Sequence, residues 1–325
     1  MGDTEEGPVA GTTAQHAGPA RPRGRLIVAC AVVTALLLTF HQAVPNTVGR
    51  LGSLLETFLP WLGLAVPVLL VPALLRRSVT ALVALLLPAA AWLGHFGPLL
   101  LPAGDEPHDI TAVQHNVSDV NADPAGTAQA LLGERPDIVA LEELTPEALP
   151  VYARTLASRL SHHAVVGTVG LWSAHPLRDV RPVDIRPRGI GPGWNRGLRA
   201  TVRTPEGDVA VYVAHLPSVR LGVPHGLGSA RRDESAALLG AAIAAEKVDR
   251  VILLGDLNGT VDDRGLDPLG SRLCVTGPGM AFSWPAAFPM ARIDQIMARS
   301  AAVLQVRSLP ATGSDHLPVA AHIRL

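Results

Sequence analysis

Lysine and cysteine are almost absent from this 325-residue chain. Lys247 is the sole lysine, so arginine carries nearly all of the positive charge, and the net charge of −1 gives no overall basic character. The two cysteines, Cys30 and Cys274, lie far apart and have neither metal-binding nor redox spacing. These scarcities argue against a disulfide-stabilised scaffold and against a protein that coats nucleic acid through its net charge.

Aromatic residues are also few, at 4% of the chain, although 48% of the residues are hydrophobic. Aliphatic side chains therefore supply the hydrophobicity, and they concentrate in three runs at 26–40, 57–75 and 78–102. A helix needs about 20 apolar residues to cross the hydrocarbon core of a bilayer, so we predict three transmembrane helices. A cleaved signal peptide is an alternative for the first run, which follows arginines, and a buried helical hairpin is an alternative for the set.

The positions of the arginines predict how these helices are oriented. Residues 1–25 are rich in Gly, Pro, Thr and Ala, so we predict a disordered tail. The arginines of this tail and the pair Arg76-Arg77 would lie in the cytoplasm by the positive-inside rule. Three crossings then place everything after about residue 103 outside the cytoplasm, as part of a multi-pass protein of the plasma membrane.

Residues 105–325 have the composition of a globular α/β domain. Short apolar strands alternate with helical segments near 123–134 and 229–247, which favours layered α/β packing. Several of these strands end in, or are flanked by, polar residues of unusual type. They are Asn116, Glu142, Glu143, His215, Asp256, Asn258, Asp294, Asp315 and His316.

Each of these polar positions has an ordinary structural explanation when it is taken alone. Asn116 and the segment GDLN at 255–258 are consistent with turns, and His215 is consistent with a hydrogen-bonded core histidine. Their repetition at the ends of strands favours a functional site, because polar groups that end several strands converge at one edge of a sheet.

In order along the chain, the motifs resemble those of the endonuclease/exonuclease/phosphatase superfamily, which includes DNase I-like nucleases, inositol-phosphate phosphatases and neutral sphingomyelinases. The resemblance covers the whole of 105–325 and implies an α/β fold, a four-layer sandwich of two mixed β-sheets flanked by helices, here preceded by the three predicted transmembrane helices. The matching segments are VQHNV (113–117), Leu141-Glu142-Glu143, GLWSAHPL (170–177), HLP (215–217), Arg231 to Glu234, GDLN (255–258), RID (292–294) and SDHLPV (314–319).

The resemblance implies metal-dependent hydrolysis of phosphoesters or phosphoanhydrides, with Mg²⁺ as the expected ion and Mn²⁺ as the alternative. Mg²⁺ prefers hard oxygen ligands and keeps several waters. The implied ligands are Glu143, assisted by Asn116, and Asp315. Two positions depart from the family pattern. Ser118 occupies the position where the family often has a second polar residue near the metal, which leaves fewer ligands. Glu142 replaces a glutamine and adds a negative charge close to the metal.

The resemblance also implies roles for the remaining polar residues. Asp256 would orient and deprotonate the attacking water, and Asn258 would donate to the phosphoryl oxygens. His215 and His316 would donate hydrogen bonds to phosphate. Asp294 is the implied carboxylate partner that keeps His316 protonated.

Charge and loop composition bear on which phosphate is the substrate. Residues 105–325 carry 21 basic and 24 acidic side chains, a net charge of −3, which argues against a phosphate-tracking nucleic-acid surface. Two glycine-rich loops at 186–199 and 219–232 nevertheless carry arginines, either as flexible surface loops or as a substrate rim that meets an anionic headgroup. The candidate rim residues are Arg188, Trp194, Arg196 and Arg231.

An outward-facing domain on a membrane tether resembles the VanJ-type branch of glycopeptide-resistance proteins, whose implied activity is removal of phosphate from undecaprenyl pyrophosphate. The tether would raise the local concentration of lipid-linked phosphate at the site. We therefore expect a lipid-linked phosphate substrate and infer no protein partner. The alternatives are a phosphodiesterase, either of phospholipid or sphingomyelin type or an extracellular nuclease, and a non-catalytic module that binds headgroups or the cell wall.

Overall fold

The computed structural model describes residues 24–102, 104, 106–222, 226–274 and 277–325. The predicted tail therefore lies outside the described residues except for Gly24 and Arg25, and so does Asp105, the first residue of the predicted α/β domain.

All three apolar runs are helical, but only one described helix, Val79–Leu100, is long and apolar enough to cross a membrane. A second span would have to combine Leu51–Thr57 with Leu59–Leu75, and these two segments meet at a bend of 72°. The first helix has 15 residues, fewer than the length that a bilayer requires. Three transmembrane helices are therefore not confirmed. The α-helices of this region are α1 Arg25–Thr39, α2 Leu51–Thr57, α3 Ala65–Leu75, α4 Val79–Ala84 and α5 Leu86–Phe96.

The rest of the chain forms two mixed β-sheets flanked by helices, as predicted. The elements are β1 Ile110–Asn116, α6 Pro124–Leu132, β2 Ile138–Glu142, α7 Leu149–Leu156, β3 His162–Val166, β4 Val169–Ser173, β5 Leu177–Pro182, β6 Gly197–Thr204, β7 Gly207–Ala214, β8 Leu221–Gly222, β9 Gly226–Leu227, α8 Ala230–Ala244, β10 Val251–Asp256, α9 Asp267–Gly270, β11 Asp294–Arg299, β12 Ala302–Ser308 and β13 Val319–Arg324. The six-stranded sheet has the order β12-β13-β1-β2-β4-β3, and the five-stranded sheet has the order β11-β10-β7-β6-β5. The short strands β8 and β9 pair with each other in a two-stranded sheet.

The order of layers is helix, sheet, sheet, helix. One hydrophobic cluster fills the space between the two sheets, a second lies between the five-stranded sheet and α8 and α9, and a third lies between the six-stranded sheet and α6 and α7. Strands β1, β2 and β10 are buried along their whole length, which explains why they appear in the sequence as continuous apolar runs rather than as alternating patterns.

Strand pairing brings the polar strand ends to one edge of the sandwich. Strands β1 and β2 are parallel, with Asn116 opposite Glu142. Strands β10 and β11 are antiparallel, so Asp256 at the end of one strand lies opposite Asp294 at the start of the other. Strand β13 runs antiparallel to β1, and the residues that precede it therefore lie beside the end of β1.

The N-terminal helical region packs directly against this sandwich. The Trp61 indole Nε1 donates to the Met290 carbonyl at 2.7 Å and its ring stacks on Phe282, with ring centroids 5.7 Å apart. His95 Nε2 lies 2.9 Å from the Asp262 carboxylate, and Arg50 forms an ion pair with Asp233. The helices and the sandwich therefore share an interface built from both apolar and charged contacts.

Candidate active site

Asn116 joins the two sheets at the edge where the polar strand ends meet. Its amide Nδ2 donates to Glu143 Oε1 and to Asp256 Oδ2, both at 3.1 Å, and its Oδ1 accepts from the Ser118 backbone N–H at 3.1 Å. Oxygens from two carboxylates thus meet around one point. Like charges this close repel unless a cation or a proton lies between them.

Glu142 and Glu143 are neighbours in the sequence but lie in different environments. Glu142 ends β2 and is fully buried, whereas Glu143 turns away with a left-handed φ of 59° and keeps 28% of its side chain exposed. Burial, reinforced by the charges of Asp294 and Asp256, raises the pKa of Glu142 well above its ordinary value. Both effects favour the protonated form of Glu142 and so oppose the extra negative charge expected from the sequence.

His316 and Asp294 form a buried pair beside Asn116. His316 Nδ1 lies 2.8 Å from Asp294 Oδ2, and its Nε2 lies 3.8 Å from Asp256 Oδ2. Burial lowers the pKa of His316, but the Asp294 and Asp256 carboxylates outweigh that effect and raise the pKa to about 10. Burial alone would raise the pKa of Asp294, whereas the imidazolium of His316 holds it below its ordinary value.

Asp256 lies at the centre of the cluster. Its Oδ1 accepts the Asn258 backbone N–H at 2.9 Å, and the Asn258 amide in turn donates to the Leu216 carbonyl at 3.0 Å. Burial, together with the Asp294 charge, raises the pKa of Asp256 to about 7, while His316 opposes the rise. A carboxylate with a pKa near neutral can take up a proton at physiological pH.

His215 and Arg196 flank the same carboxylates. His215 Nε2 lies 3.5 Å from Asp256 Oδ2 and 3.8 Å from Glu143 Oε1, and the Arg196 guanidinium donates to the imidazole Nδ1 at 3.1 Å. Burial, with the charges of Arg196 and His316, lowers the pKa of His215 to about 3, so this imidazole is neutral. The Arg196 guanidinium also lies 5.3 Å from the centroid of the Trp194 ring.

The structure does not place all the predicted rim residues at the cluster. Arg188 is highly exposed and pairs with Glu234 at 3.2 Å. Arg231 is exposed at the start of α8, whereas the adjacent Arg232 is buried and donates to the Asn258 carbonyl at 3.0 Å. Arg196 and Trp194 are therefore the predicted rim residues that lie beside the carboxylates.

Two groupings of residues could interact with a metal. The ligand atoms of Asp256, Asp294 and His316 lie within 4.8 Å of one another, but a protonated His316 cannot ligate a cation. In the predicted set of Glu143, Asn116 and Asp315, the carboxylates of Glu143 and the exposed Asp315 line the same cleft. Asn116 contacts Glu143 through its amide Nδ2, while its oxygen accepts from the Ser118 N–H. The second set fits Mg²⁺ better, because this ion prefers oxygen ligands and keeps bound water.

The cluster opens into a cleft of about 470 Å³, which we call the central cleft. On the polar side it is lined by Glu143, Asp256, Asn258, Asp315 and His316. Its other side is largely apolar, and apart from Ile293 of the RID segment its residues were not indicated by the sequence as part of a site. They are Leu54, Thr57, Phe58, Trp284, Met290 and Ile293.

Two further buried residues that sequence reasoning missed hold the cluster together. Gln114 Nε2 bridges Glu142 Oε2 at 2.7 Å and Asp294 Oδ1 at 3.0 Å, and so connects the two sheets. Ser283 Oγ accepts the Asp294 backbone N–H at 3.3 Å. Gln114 lies two residues before Asn116 on β1 and therefore on the same face of the strand, a spacing that could have indicated its position.

Residues 113–316 match the family described as Endonuclease/Exonuclease/phosphatase. The N-terminal helices lie outside the matched residues. No curated protein sequence matches the chain.

Solved structures share the fold at low sequence identity. Sphingomyelinase C from Streptomyces griseocarneus is 17% identical with a TM-score of 0.52, covering 67% of this chain and 99% of that chain. A double mutant of beta toxin from Staphylococcus aureus with bound magnesium ions is 15% identical with a TM-score of 0.52, covering 66% and 99%. D. rerio TDP2 complexed with a single-strand DNA product is 17% identical with a TM-score of 0.54, covering 66% and 99%. At these identities the likeness extends to the fold alone.

Proposed function

Because the chain belongs to the Endonuclease/Exonuclease/phosphatase family, we propose that it is a membrane-anchored, metal-dependent phosphohydrolase. Its catalytic domain would face away from the cytoplasm, and its substrate would be a lipid-linked pyrophosphate, with undecaprenyl pyrophosphate as the specific candidate. The observation that carries the chemistry is the Asn116 amide, which holds Glu143 and Asp256 together beside the His316–Asp294 pair.

The proposed metal site is formed by side-chain oxygen ligands. Glu143, with Asn116 and Asp315, would hold Mg²⁺ or Mn²⁺, and the bound ion would supply neutralisation of the charge on the phosphoryl oxygens. The magnesium ions in the beta toxin structure support the choice of metal. Burial and the Asp294 and Asp256 carboxylates raise the pKa of Glu142, which weakens any contribution of its charge to this arrangement.

The protein residues divide into a proton acceptor and hydrogen-bond donors. Asp256, with a pKa of about 7, would accept the proton of the attacking water. His316 carries a proton on a nitrogen that points towards Asp256, so it would donate to a phosphoryl oxygen placed between them. Neutral His215 and charged Arg196 flank the same space and would orient the remaining oxygens.

The membrane assignment rests on the apolar helices and on their contact with the sandwich. Val79–Leu100 satisfies the requirements for a span, and helices α1 and α3 would complete the membrane region. Interface contacts such as the stacking of Trp61 on Phe282 place these helices against the domain that carries the site. A site held next to the bilayer encounters lipid headgroups at high effective concentration.

A panel of substrates tests this proposal. The full-length chain in detergent would be incubated with Mg²⁺ and, separately, with undecaprenyl pyrophosphate, sphingomyelin and single-stranded DNA. We expect release of inorganic phosphate from the pyrophosphate and no cleavage of the two diesters. Cleavage of a diester alone would overturn the substrate assignment and make the chain a phosphodiesterase, the activity named by the sphingomyelinase C structure.

A further inference from the structure

One wall of the central cleft does not belong to the catalytic sandwich. Leu54, Thr57 and Phe58 line this wall, and they lie on α2 and at its C-terminal end, between the first and second apolar helices. The same cleft is also lined by Asp256 and His316. The N-terminal helical region therefore contributes one wall of the cleft, and the sandwich contributes the rest.

A buried ion pair fixes α2 in this position. Glu56 is fully buried and accepts from the Arg264 backbone N–H at 3.1 Å, from its Nε at 3.0 Å and from its Nη2 at 2.6 Å. Arg264 also donates to the carbonyls of Val44 at 2.8 Å and His41 at 3.0 Å. A buried carboxylate with this many donors is costly to displace, so the wall is rigid rather than a loosely packed loop.

The wall is followed in the chain by an apolar helix. Phe58 lies at the 72° bend after α2, and a short 3₁₀ helix, Leu59–Leu64, then leads into α3. Helix α3 exposes Val68, Val71 and Leu74. The chain therefore leads from Phe58 in the cleft lining to a helix that exposes apolar side chains.

We propose that Leu54 and Phe58 form a subsite for the apolar chain attached to the substrate's phosphate. This inference rests on the proposed function and adds the structural basis of its lipid specificity. The occupant is an aliphatic or isoprenoid chain, because the wall presents hydrocarbon at the point where the polar groups end. The phosphate would lie against His316 and Asp256, and the chain would leave the cleft along Phe58 towards α3.

The expected effect follows from the apolar contact. Removing a side chain that packs against one part of a ligand costs about tenfold in binding. We compare kcat/KM for farnesyl pyrophosphate with kcat/KM for inorganic pyrophosphate. Phe58→Ala and Leu54→Ala are each expected to lower the ratio of the first to the second by about tenfold. The change should come mainly from a higher KM for farnesyl pyrophosphate. Inorganic pyrophosphate serves as the analogue without a chain.

The matched control is Leu51→Ala. Leu51 is on the same helix and is 51% exposed, and it is absent from the lining of the central cleft. The variant should leave the ratio unchanged. An unchanged ratio in Phe58→Ala, or an equal loss on both substrates, would overturn the subsite.

A binding measurement separates this inference from the proposed function. Farnesyl monophosphate would be titrated into the full-length wild-type, Leu51→Ala and Phe58→Ala proteins in the same detergent. Suppose that the wild type hydrolyses neither pyrophosphate but that Phe58→Ala alone binds farnesyl monophosphate more weakly. That result would support the subsite and contradict the proposed function. Turnover of farnesyl pyrophosphate with identical binding by all three proteins would contradict the subsite alone.

Discussion

The imidazole of His316 and the carboxylate of Asp294 form a buried ion pair, with Nδ1 2.8 Å from Oδ2. Asp294 also accepts from Gln114 at 3.0 Å, so the pair is fixed to both sheets. The arrangement keeps the second imidazole nitrogen protonated and directed at Asp256, 3.8 Å away. The pair thus provides a positive donor where a phosphoryl oxygen would carry negative charge.

Asp294→Asn should therefore remove the charge from His316. The carboxylate raises the pKa of His316 to about 10, so in the wild type the imidazolium persists until the pH rises through that value. In the variant, less negative charge opposes the effect of burial on His316. The pKa of His316 therefore falls, and its positive charge is lost at a lower pH. We expect phosphate release to fall by about a hundredfold and its high-pH limb to move to lower pH. Exposed Asp184→Asn is the control, and a pH–rate profile identical to the wild type in Asp294→Asn would refute the role of the pair.

Glu142→Gln and Glu143→Gln should differ sharply although the residues are adjacent. Glu142 is buried and its pKa is raised by burial and by the Asp294 and Asp256 carboxylates, which favours the protonated form. An amide can still accept from Gln114, so kcat and the dependence on Mg²⁺ should stay within about twofold of the wild type. Glu143 offers its carboxylate to the cleft, and its substitution should cost at least about a hundredfold or a comparable increase in the Mg²⁺ needed. The measurement is the rate of phosphate release by each variant as a function of Mg²⁺ concentration. Equal effects of the two substitutions would contradict the assignment of the metal ligand.

Glu56→Ala and Arg264→Ala should each destabilise the full-length chain. Removing one partner of a buried pair leaves the other charge uncompensated, at a cost of about 3–5 kcal/mol. The thermal-unfolding midpoint should fall by several degrees in each, and the double variant should lose less than the combined losses of the single ones. Arg272→Ala, which removes an exposed side chain, is the control. Additive losses would indicate that the two residues act independently.

Glu246 should make the sandwich sensitive to acid. Burial alone would raise the pKa of Glu246, but hydrogen bonds from Arg199, the Val248 N–H and Tyr212 lower it to about 2. The folded-state pKa is thus below the unfolded value, so the stabilisation is present above about pH 4.5 and disappears as the pH falls towards 2.

Glu246→Gln should therefore be less stable than the wild type at pH 7, by on the order of 2 kcal/mol, and the difference should shrink as the pH approaches 3. Thermal unfolding of both proteins across that range is the measurement. A difference that does not depend on pH would show that the carboxylate charge is not responsible.

Local patterns predicted the alternation of strands and helices and the polar strand ends, whereas the two mixed sheets were implied by the resemblance to the superfamily. Asn116, Asp256 and His316 each follow or precede an apolar strand, and strand pairing then brings them together. The raised pKa of Glu142 could not be predicted, because it depends on burial and on the carboxylates of Asp294 and Asp256, which are distant in the sequence.

The apolar wall of the cleft was also hidden in the sequence. Phe58 lies at the beginning of the apolar run 57–75 and Leu54 lies just before it. Hydropathy does not distinguish a side chain that faces lipid from one that faces a cleft. The ion pair of Glu56 with Arg264 joins residues more than two hundred positions apart, and no local pattern predicts such a pair. The number of spans is likewise set by where helices bend, which composition alone does not give.

The most direct test of the account is Mg²⁺-dependent release of inorganic phosphate from undecaprenyl pyrophosphate by the full-length chain, compared between the wild type and Asp256→Asn. We predict release by the wild type, loss of release on chelation with EDTA, and a decrease of at least about a thousandfold in Asp256→Asn, because the substitution removes the group that accepts the proton of water. Equal release by the two proteins, or release that persists in EDTA, would contradict the central claim.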